Sequence, residues 1–258
     1  KTEIIWGIKD FIHRFGRMPE GMWLSETAVD NETLDILALQ GIKFTILAPH
    51  QARRIRRIGE DYWTDVRKET LDTSRPYQCL LPSGRTIAIF FYEPSIAFEV
   101  AFGNLLENGD RFTERLIKAF PKSGDGPHLV SVATDGETYG HHHRFADMAL
   151  AYTLHEIESK NLAKITVYGE YLEKYPPKYE VVIEENTSWS CEHGVKRWED
   201  NCGCRAMYAC LISDPSVCYP STSASMAPPY NIRPWSQRWR RPLRDAITWL
   251  SDELAILY

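Results

Sequence analysis

Apolar and polar positions along this chain repeat with two different periods, and the switches between them outline its elements. In "EIIWGIKDFIHRFG", Ile4, Ile5, Ile8, Phe11, Ile12 and Phe15 recur at helical spacing, and Gly16 ends the run. A short apolar stretch at Met22–Leu24 reads as a strand. "DNETLDILALQG" reads as a helix with Asp30 as N-cap, a face of Leu34, Leu37 and Ala38, and Gly41 at its close. "IKFTILAP" then predicts a strand, and "HQARRIRRIG" a helix. Thr86–Tyr92 is a strand after a turn; "SIAFEVAFGNLLENG" and "RFTERLIKAF" are helices. "HLVSVAT" is an apolar strand running straight into Asp135. "HRFADMALAYTLHEIESK" predicts a helix with Phe145, Met148, Ala149 and Tyr152 on one side. "KITVYGEYLEKYPP" predicts a strand and a short helix stopped by Pro176 and Pro177.

This alternation argues for an α/β fold on a parallel sheet, open or closed into a barrel. Four or five strands are too few for eight, so the expectation is an incomplete barrel. The texture changes near residue 178, where Cys, Trp, Pro and Ser become frequent, and a last amphipathic helix closes the chain. The expected organisation is therefore a partial-barrel catalytic domain over 1–177 and a Cys-rich, helical extension over 178–258, packed on it.

Composition narrows the function. The net charge of -5 and pI near 5.9 argue against nucleic acid, and the basic runs "RRIRR" and "RWRRPLR" read as solvated helix faces. No apolar run approaches the ~20 residues of a membrane span. No signal peptide is visible, so a cytoplasmic location is expected; a start at Lys1 reads as a processed chain or a cut piece. The 12% aromatic content suits a core, and also sugar rings, whose C–H faces pack on flat apolar surfaces.

In parallel α/β folds, reactive groups gather where strands end. Glu26, His50 with Gln51, Glu93, and Asp135 with Glu137 all stand at such ends. Any one of them could be a helix cap; several together point to a site. Two carboxylates from different strands suit glycoside hydrolysis, one attacking or stabilising the anomeric carbon and the other protonating the leaving oxygen. Glu26 and Asp135 are the candidate pair.

Three consecutive histidines, His141 to His143, fall at the expected start of the next helix. Neighbours there point about 100° apart, so at most one or two could join Asp135 or Glu137 on an ion. A mixed carboxylate/His metal site stays open beside a plain packing role. Further on, "CEHGVKRWEDNCGC" places Cys191, His193, Cys202 and Cys204 on one loop. A structural zinc, disulfides and buried thiols are all compatible with that spacing, and His193 could instead line the site beside Trp189.

"GMWLSE" and "TDGETYG" together resemble two motifs of glycoside hydrolase family 57, which includes α-amylases, glucanotransferases and branching enzymes. The match falls on Gly21, Trp23, Leu24 and Glu26, and on Asp135, Gly136, Glu137 and Gly140. "ETAVDNETLDILALQGIKFTILAPHQA" and "SWSCEHGVKRWEDNCGC" resemble an uncharacterised branch of family-57-like proteins. The resemblance implies a retaining enzyme on α-linked glucan that requires no cofactor, with an incomplete (β/α)7-type barrel. It implies Glu26 as nucleophile, Asp135 as acid/base, Trp23 as sugar platform or positioning residue, and Glu137 and Tyr139 as site walls. His50, Gln51, Glu93, His141, Trp189 and His193 complete the expected sugar-binding set. The family's His-x-Pro motif does not occur before Glu26, so the chain is expected to begin after that strand. Two rivals stand beside this reading: a metal-dependent hydrolase or polysaccharide deacetylase using Asp135, Glu137 and a His, and a non-catalytic carbohydrate-binding relative.

Overall fold

The amphipathic run at the N-terminus forms helix α1, Thr2–Phe15, and Gly16 ends it in the left-handed conformation at φ 67°, ψ 14°. The computed structural model of the chain describes residues 1–66, 71–122, 126–202 and 237–257, in two units, Lys1–Trp189 and Ser190–Tyr258. In the first unit α2, Asn31–Leu39, starts as predicted: the Asp30 carboxylate accepts the Thr33 N–H at 2.7 Å. Such a cap contributes about 1 kcal/mol.

Among the described residues the sheet has six strands: β1 Phe44–Leu47, β2 Ala52–Arg57, β3 Thr64–Asp65, β4 Tyr77–Leu80, β5 Thr86–Phe91 and β6 Tyr179–Ile183. Their order is β1-β5-β4-β6-β2-β3. It is mixed rather than parallel, because only β1/β5 and β4/β6 run in the same direction. β5 is buried on both faces, so it reads as a continuous apolar run. Ile87, Ile89 and Phe91 face a core shared with Ile8, Leu34, Leu37, Tyr77, Val181 and Ile183. Ala88 and Phe90 face the other side, with Phe44 and Tyr171. Tyr171 lies on α6, Tyr168–Lys174. A separate cluster joins α3 (Pro94–Phe102), α4 (Gly109–Lys118) and α5 (Ala146–Ser159).

Several expectations are corrected. "HQARRIRRIG" is not a helix: a 3-10 turn over Pro49–Gln51 leads into β2. Pairing with β6 and β3 overrides the helix propensity of arginine. There, the Arg54 and Arg56 guanidiniums stack on Trp63, at 4.8 and 4.5 Å from the ring centroid, and Arg56 pairs with Glu180. Met22–Leu24 is not a strand; the contact beside it is a single parallel bridge, Gly21 to Phe44. Residues 129–134 lie in no ladder, held instead by the Leu129 N–H on Ser74 O (2.9 Å) and the Glu93 N–H on Ser131 O (2.7 Å). No strand precedes α6 in "KITV". On α5 the buried residues are Ala146, Thr153 and Ile157, while Phe145, Met148 and Tyr152 are exposed. The reason is close approach to α4: the Thr153 hydroxyl donates to Gly109 O at 3.1 Å, and a Cβ on Gly109 would meet Tyr152 at 2.3 Å.

β6 belongs to the sheet, so the first unit continues past the texture change near 178 to Trp189. The second unit holds α7, Lys196–Glu199, and α8, Arg240–Leu257. Among the described residues, no helix is long and apolar enough to cross a membrane.

Candidate active site

β1 and β5 leave the sheet side by side, and the Tyr92 N–H still reaches Leu47 O at 3.3 Å. The Gly21–Leu24 segment runs along the far side of β1. The Met22 N–H donates to Phe44 O (3.2 Å) and the buried Thr45 hydroxyl to Met22 O (2.8 Å). Gly21 permits this contact, because a Cβ there would stand 2.2 Å from the Phe44 ring. The segment therefore delivers Glu26 to the exit of β1.

Glu26 sits in a strained turn. It adopts φ 58°, ψ 18°, and the β-branched Thr27 follows at φ 50°. Left-handed non-glycine residues cost of order 1–3 kcal/mol each and persist only where the surroundings over-determine them. Here the Trp189 backbone N–H donates to Glu26 O at 3.0 Å, and the Trp189 indole Nε1–H donates to the Glu26 carboxylate at 3.1 Å. Below the turn, fully buried Gln51 donates Nε2–H to Thr27 O (2.7 Å) and Thr187 Oγ1 (3.1 Å), and its Oε1 accepts the Ala48 N–H (2.9 Å). The Thr27 hydroxyl is buried with no partner among the described residues.

Aromatic rings surround this carboxylate. Trp189 meets Trp23 edge-on at 5.1 Å and Tyr92 at 6.0 Å. Trp23 is 42% exposed, so part of the side chain is within reach of a ligand. Burial pushes the Tyr92 phenol up to about 12. Trp189 and Tyr92 also pack in one cluster with Ala48, Val132 and Ala133. Ala133 precedes Asp135 by two positions, so the same aromatic group bridges the chain segments that carry Glu26 and Asp135. Asp135 is exposed and opens a 3-10 turn over Gly136–Thr138. Glu137 is exposed too, and its carbonyl accepts the His141 and His142 N–H groups at 3.1 and 3.0 Å. Tyr139 is half-buried, its phenol accepting from Thr134 Oγ1 at 3.2 Å.

Two expected sugar contacts take other parts. Gln51 is buried and its amide is engaged by protein, so it fixes the Glu26 turn instead of reaching a ligand. Glu93 caps α3, its carboxylate accepting from the Ser95 hydroxyl (2.6 Å), the Ser95 N–H (3.3 Å) and the Thr73 hydroxyl (3.3 Å). His50 is half-buried, with Nε2 3.0 Å from Ser188 O. The three histidines are not at a helix start. They lie in a turn made by Gly140 at φ 123°, and α5 begins at Ala146. His141 and His142 are exposed, while His143 Nε2 lies 3.0 Å from Ala101 O. Among the described residues, the His, Cys and carboxylate groups close enough to share an ion are Cys191, His193 and Cys202, in the second unit. Asp135, Glu137 and the histidines form no such group. Cys204 lies outside the described residues. Tyr92 is the site residue that sequence reasoning misses; its signal is a polar ring closing an apolar strand.

Residues 4–184 match the model of glycosyl hydrolase family 57. The chain belongs to glycosyl hydrolase family 57. Both motifs fall inside the matched range, and the Cys/His loop falls outside it. The 4-alpha-glucanotransferase of Thermococcus litoralis shares the fold at 19% identity and a TM-score of 0.55, over 81% of this chain and 30% of that one. A family-57 branching enzyme of Thermococcus kodakaraensis does so at 17% and 0.58, over 80% of this chain and 49% of that one. An exo-type maltose-forming amylase of Pyrococcus sp. ST04 does so at 14% and 0.54, over 74% and 34%. The chain thus spans 30% to 49% of the length of these enzymes. Among curated proteins, none matches it.

Proposed function

We propose that this family-57 chain carries the catalytic pair of a retaining glycoside hydrolase or transglycosylase acting on α-linked glucan. The observation that carries the reading is the Glu26 carboxylate, held at the exit of β1 by the Trp189 indole in a doubly left-handed turn. Strain of that kind is kept where a side chain must be aimed.

In the first step Glu26 attacks the anomeric carbon while Asp135 gives its proton to the leaving oxygen. A covalent glycosyl-enzyme forms, and the aglycone departs as an alcohol. In the second step Asp135 takes a proton from water, or from a sugar hydroxyl, as that oxygen displaces Glu26. Hydrolysis and transfer differ only in that acceptor. Trp23, exposed beside Trp189, is the sugar platform, with Tyr139 and Glu137 as walls on the Asp135 side. This chemistry calls for no cofactor. The incomplete (β/α)7-type barrel is the frame this reading expects, with β1, β5 and their flanking segments forming its active end.

Glu26→Gln and Asp135→Asn, assayed on α-glucan by product chromatography, should each lower turnover by orders of magnitude while the fold is retained. With an activated glycoside, Asp135→Asn should accumulate a glycosyl adduct on Glu26, detectable by mass spectrometry. Wild-type turnover in either variant overturns the assignment.

A further inference from the structure

We infer that Cys191, His193 and Cys202 form a structural zinc site in the second unit, independent of the sugar chemistry. The ligand atoms of all three lie within 4.8 Å of one another. A tetrahedral zinc has bonds of about 2.3 Å to sulfur and about 2.0–2.1 Å to nitrogen, which sets sulfur–sulfur edges near ~3.8 Å and sulfur–nitrogen edges near ~3.5 Å. The Cys191 Sγ to His193 Nδ1 distance is 3.7 Å, close to such an edge. The longest separation exceeds the ideal edge by no more than about 1.3 Å, a shift within reach of side-chain torsions.

The backbone supports the same reading. Cys191 and His193 are two residues apart, and the turn that carries them closes through the Gly194 N–H on Cys191 O at 2.9 Å. Gly194 follows the His ligand at φ 59°, a conformation that favours glycine. Outer partners are in place around Cys202. The Arg240 guanidinium donates to its sulfur at 3.9 Å and is itself held by Gln237 Oε1 at 3.1 Å; the 3.8 Å bond from the Cys202 thiol to Gln237 Oε1 is given up when the thiol ionises to bind the metal. Hydrogen bonds of this sort orient metal ligands. Cys191 is 7% exposed, so its sulfur is shielded from bulk solvent.

The ion would join the 191–194 turn to Cys202 across α7. That helix is four residues long and has no buried residue, too short to hold by itself. Two thiolates and a neutral imidazole match zinc in softness and cancel its charge. Three protein ligands leave one coordination position for a further donor.

The test uses the whole chain, expressed with zinc supplementation and purified without chelator. Elemental analysis should find about one zinc per chain. X-ray absorption at the zinc edge should show at least two sulfur neighbours near ~2.3 Å and a nitrogen near ~2.0 Å. Cobalt added to chelator-treated protein should produce a thiolate-to-metal charge-transfer band. Cys191→Ser and Cys202→Ser should each lower zinc affinity by more than the roughly 10–100-fold that loss of an outer partner costs. Cys79→Ser, at a buried thiol in the first unit, should keep the zinc. Where a ligand variant fails to fold, the wild-type absorption spectrum decides. Zinc at background level with no cobalt band overturns the site. So does a non-reduced peptide map that places Cys191 or Cys202 in a disulfide. Sugar turnover enters none of these readouts, so failure of the catalytic assignment leaves the site standing, and the reverse.

Discussion

Gln51→Leu removes the clamp beneath Glu26 while nearly preserving side-chain volume. Gln51 is fully buried, so no water replaces what it provides. Two backbone groups lose a partner: the Ala48 N–H, 2.9 Å from Oε1, and the Thr27 carbonyl, 2.7 Å from Nε2. Thr187 Oγ1 keeps its own bond to Glu184 O at 2.7 Å and is not orphaned. An unsatisfied buried backbone group costs about 1–3 kcal/mol, so the two together amount to roughly 2–6 kcal/mol. Partial relaxation of the Thr27 turn returns some of this, which sets the expected loss at about 2–4 kcal/mol. For a unit of this size that is roughly 4–16 °C in Tm. The same relaxation carries Glu26 out of aim. Turnover should therefore fall further than the folded fraction does, with KM little changed. Urea unfolding followed by tryptophan fluorescence gives the first number, and initial rates at a temperature well below the variant's Tm give the second. A Gln51→Leu protein with wild-type Tm, or with a rate that tracks only its folded fraction, refutes the clamp.

Three further outcomes follow from the same geometry. Trp189→Phe keeps the ring and the backbone bond but removes the 3.1 Å indole donor on Glu26. Discounted for a half-buried site, a bond to a charged group is worth about 1–2 kcal/mol, so kcat/KM should fall roughly 5–30-fold, and an unchanged value argues against positioning. Gly21→Ala drives a Cβ to 2.2 Å from the Phe44 ring and should destabilise by about 1–3 kcal/mol in calorimetry; a neutral result means the motif glycine serves something other than close approach. Burial raises Tyr92 from 10.0 and Cys79 from 9.0, each to about 12, and raises Tyr77 as well. Their folded values lie above the unfolded ones, so the stability they contribute is full below about pH 9 and is lost as pH climbs toward 12. Alkaline unfolding should begin in that window, with Cys79 unreactive to thiol reagents while the unit is folded.

What the sequence made legible was local. α1 and α2 follow from helical apolar spacing and terminal signals a few residues away, and β1 and β5 from short apolar runs. The failures are non-local. The arginine run became β2 because β6, more than a hundred residues later, pairs with it through Arg56 and Glu180. β4 and β6 are only four and five residues long, Tyr-Gln-Cys-Leu and Tyr-Glu-Val-Val-Ile, too short for a period to mark them before their neighbours are known. The histidine turn looked helical because the φ of Gly140 cannot be read from composition.

The site divides along the same line. Within "GMWLSE", each motif position has a physical task that the structure makes explicit. Gly21 allows the backbone to press against Phe44, Leu24 is anchored in the core, Trp23 stays partly exposed, and Glu26 is twisted out at the strand exit. Those tasks need residue types at fixed short spacing, which is why a motif can be written down. The forces that hold the turn in place span far more chain: Gln51 to Thr187 across 136 residues, Trp189 to Glu26 across 163. No local pattern announces Gln51 as a clamp, because a glutamine after a strand looks the same whether it meets a sugar or a carbonyl. A motif therefore locates a candidate carboxylate in the chain, while its aim depends on residues that only the folded contacts reveal. Variants of Gln51 and Trp189 test that division more directly than variants of the carboxylates themselves.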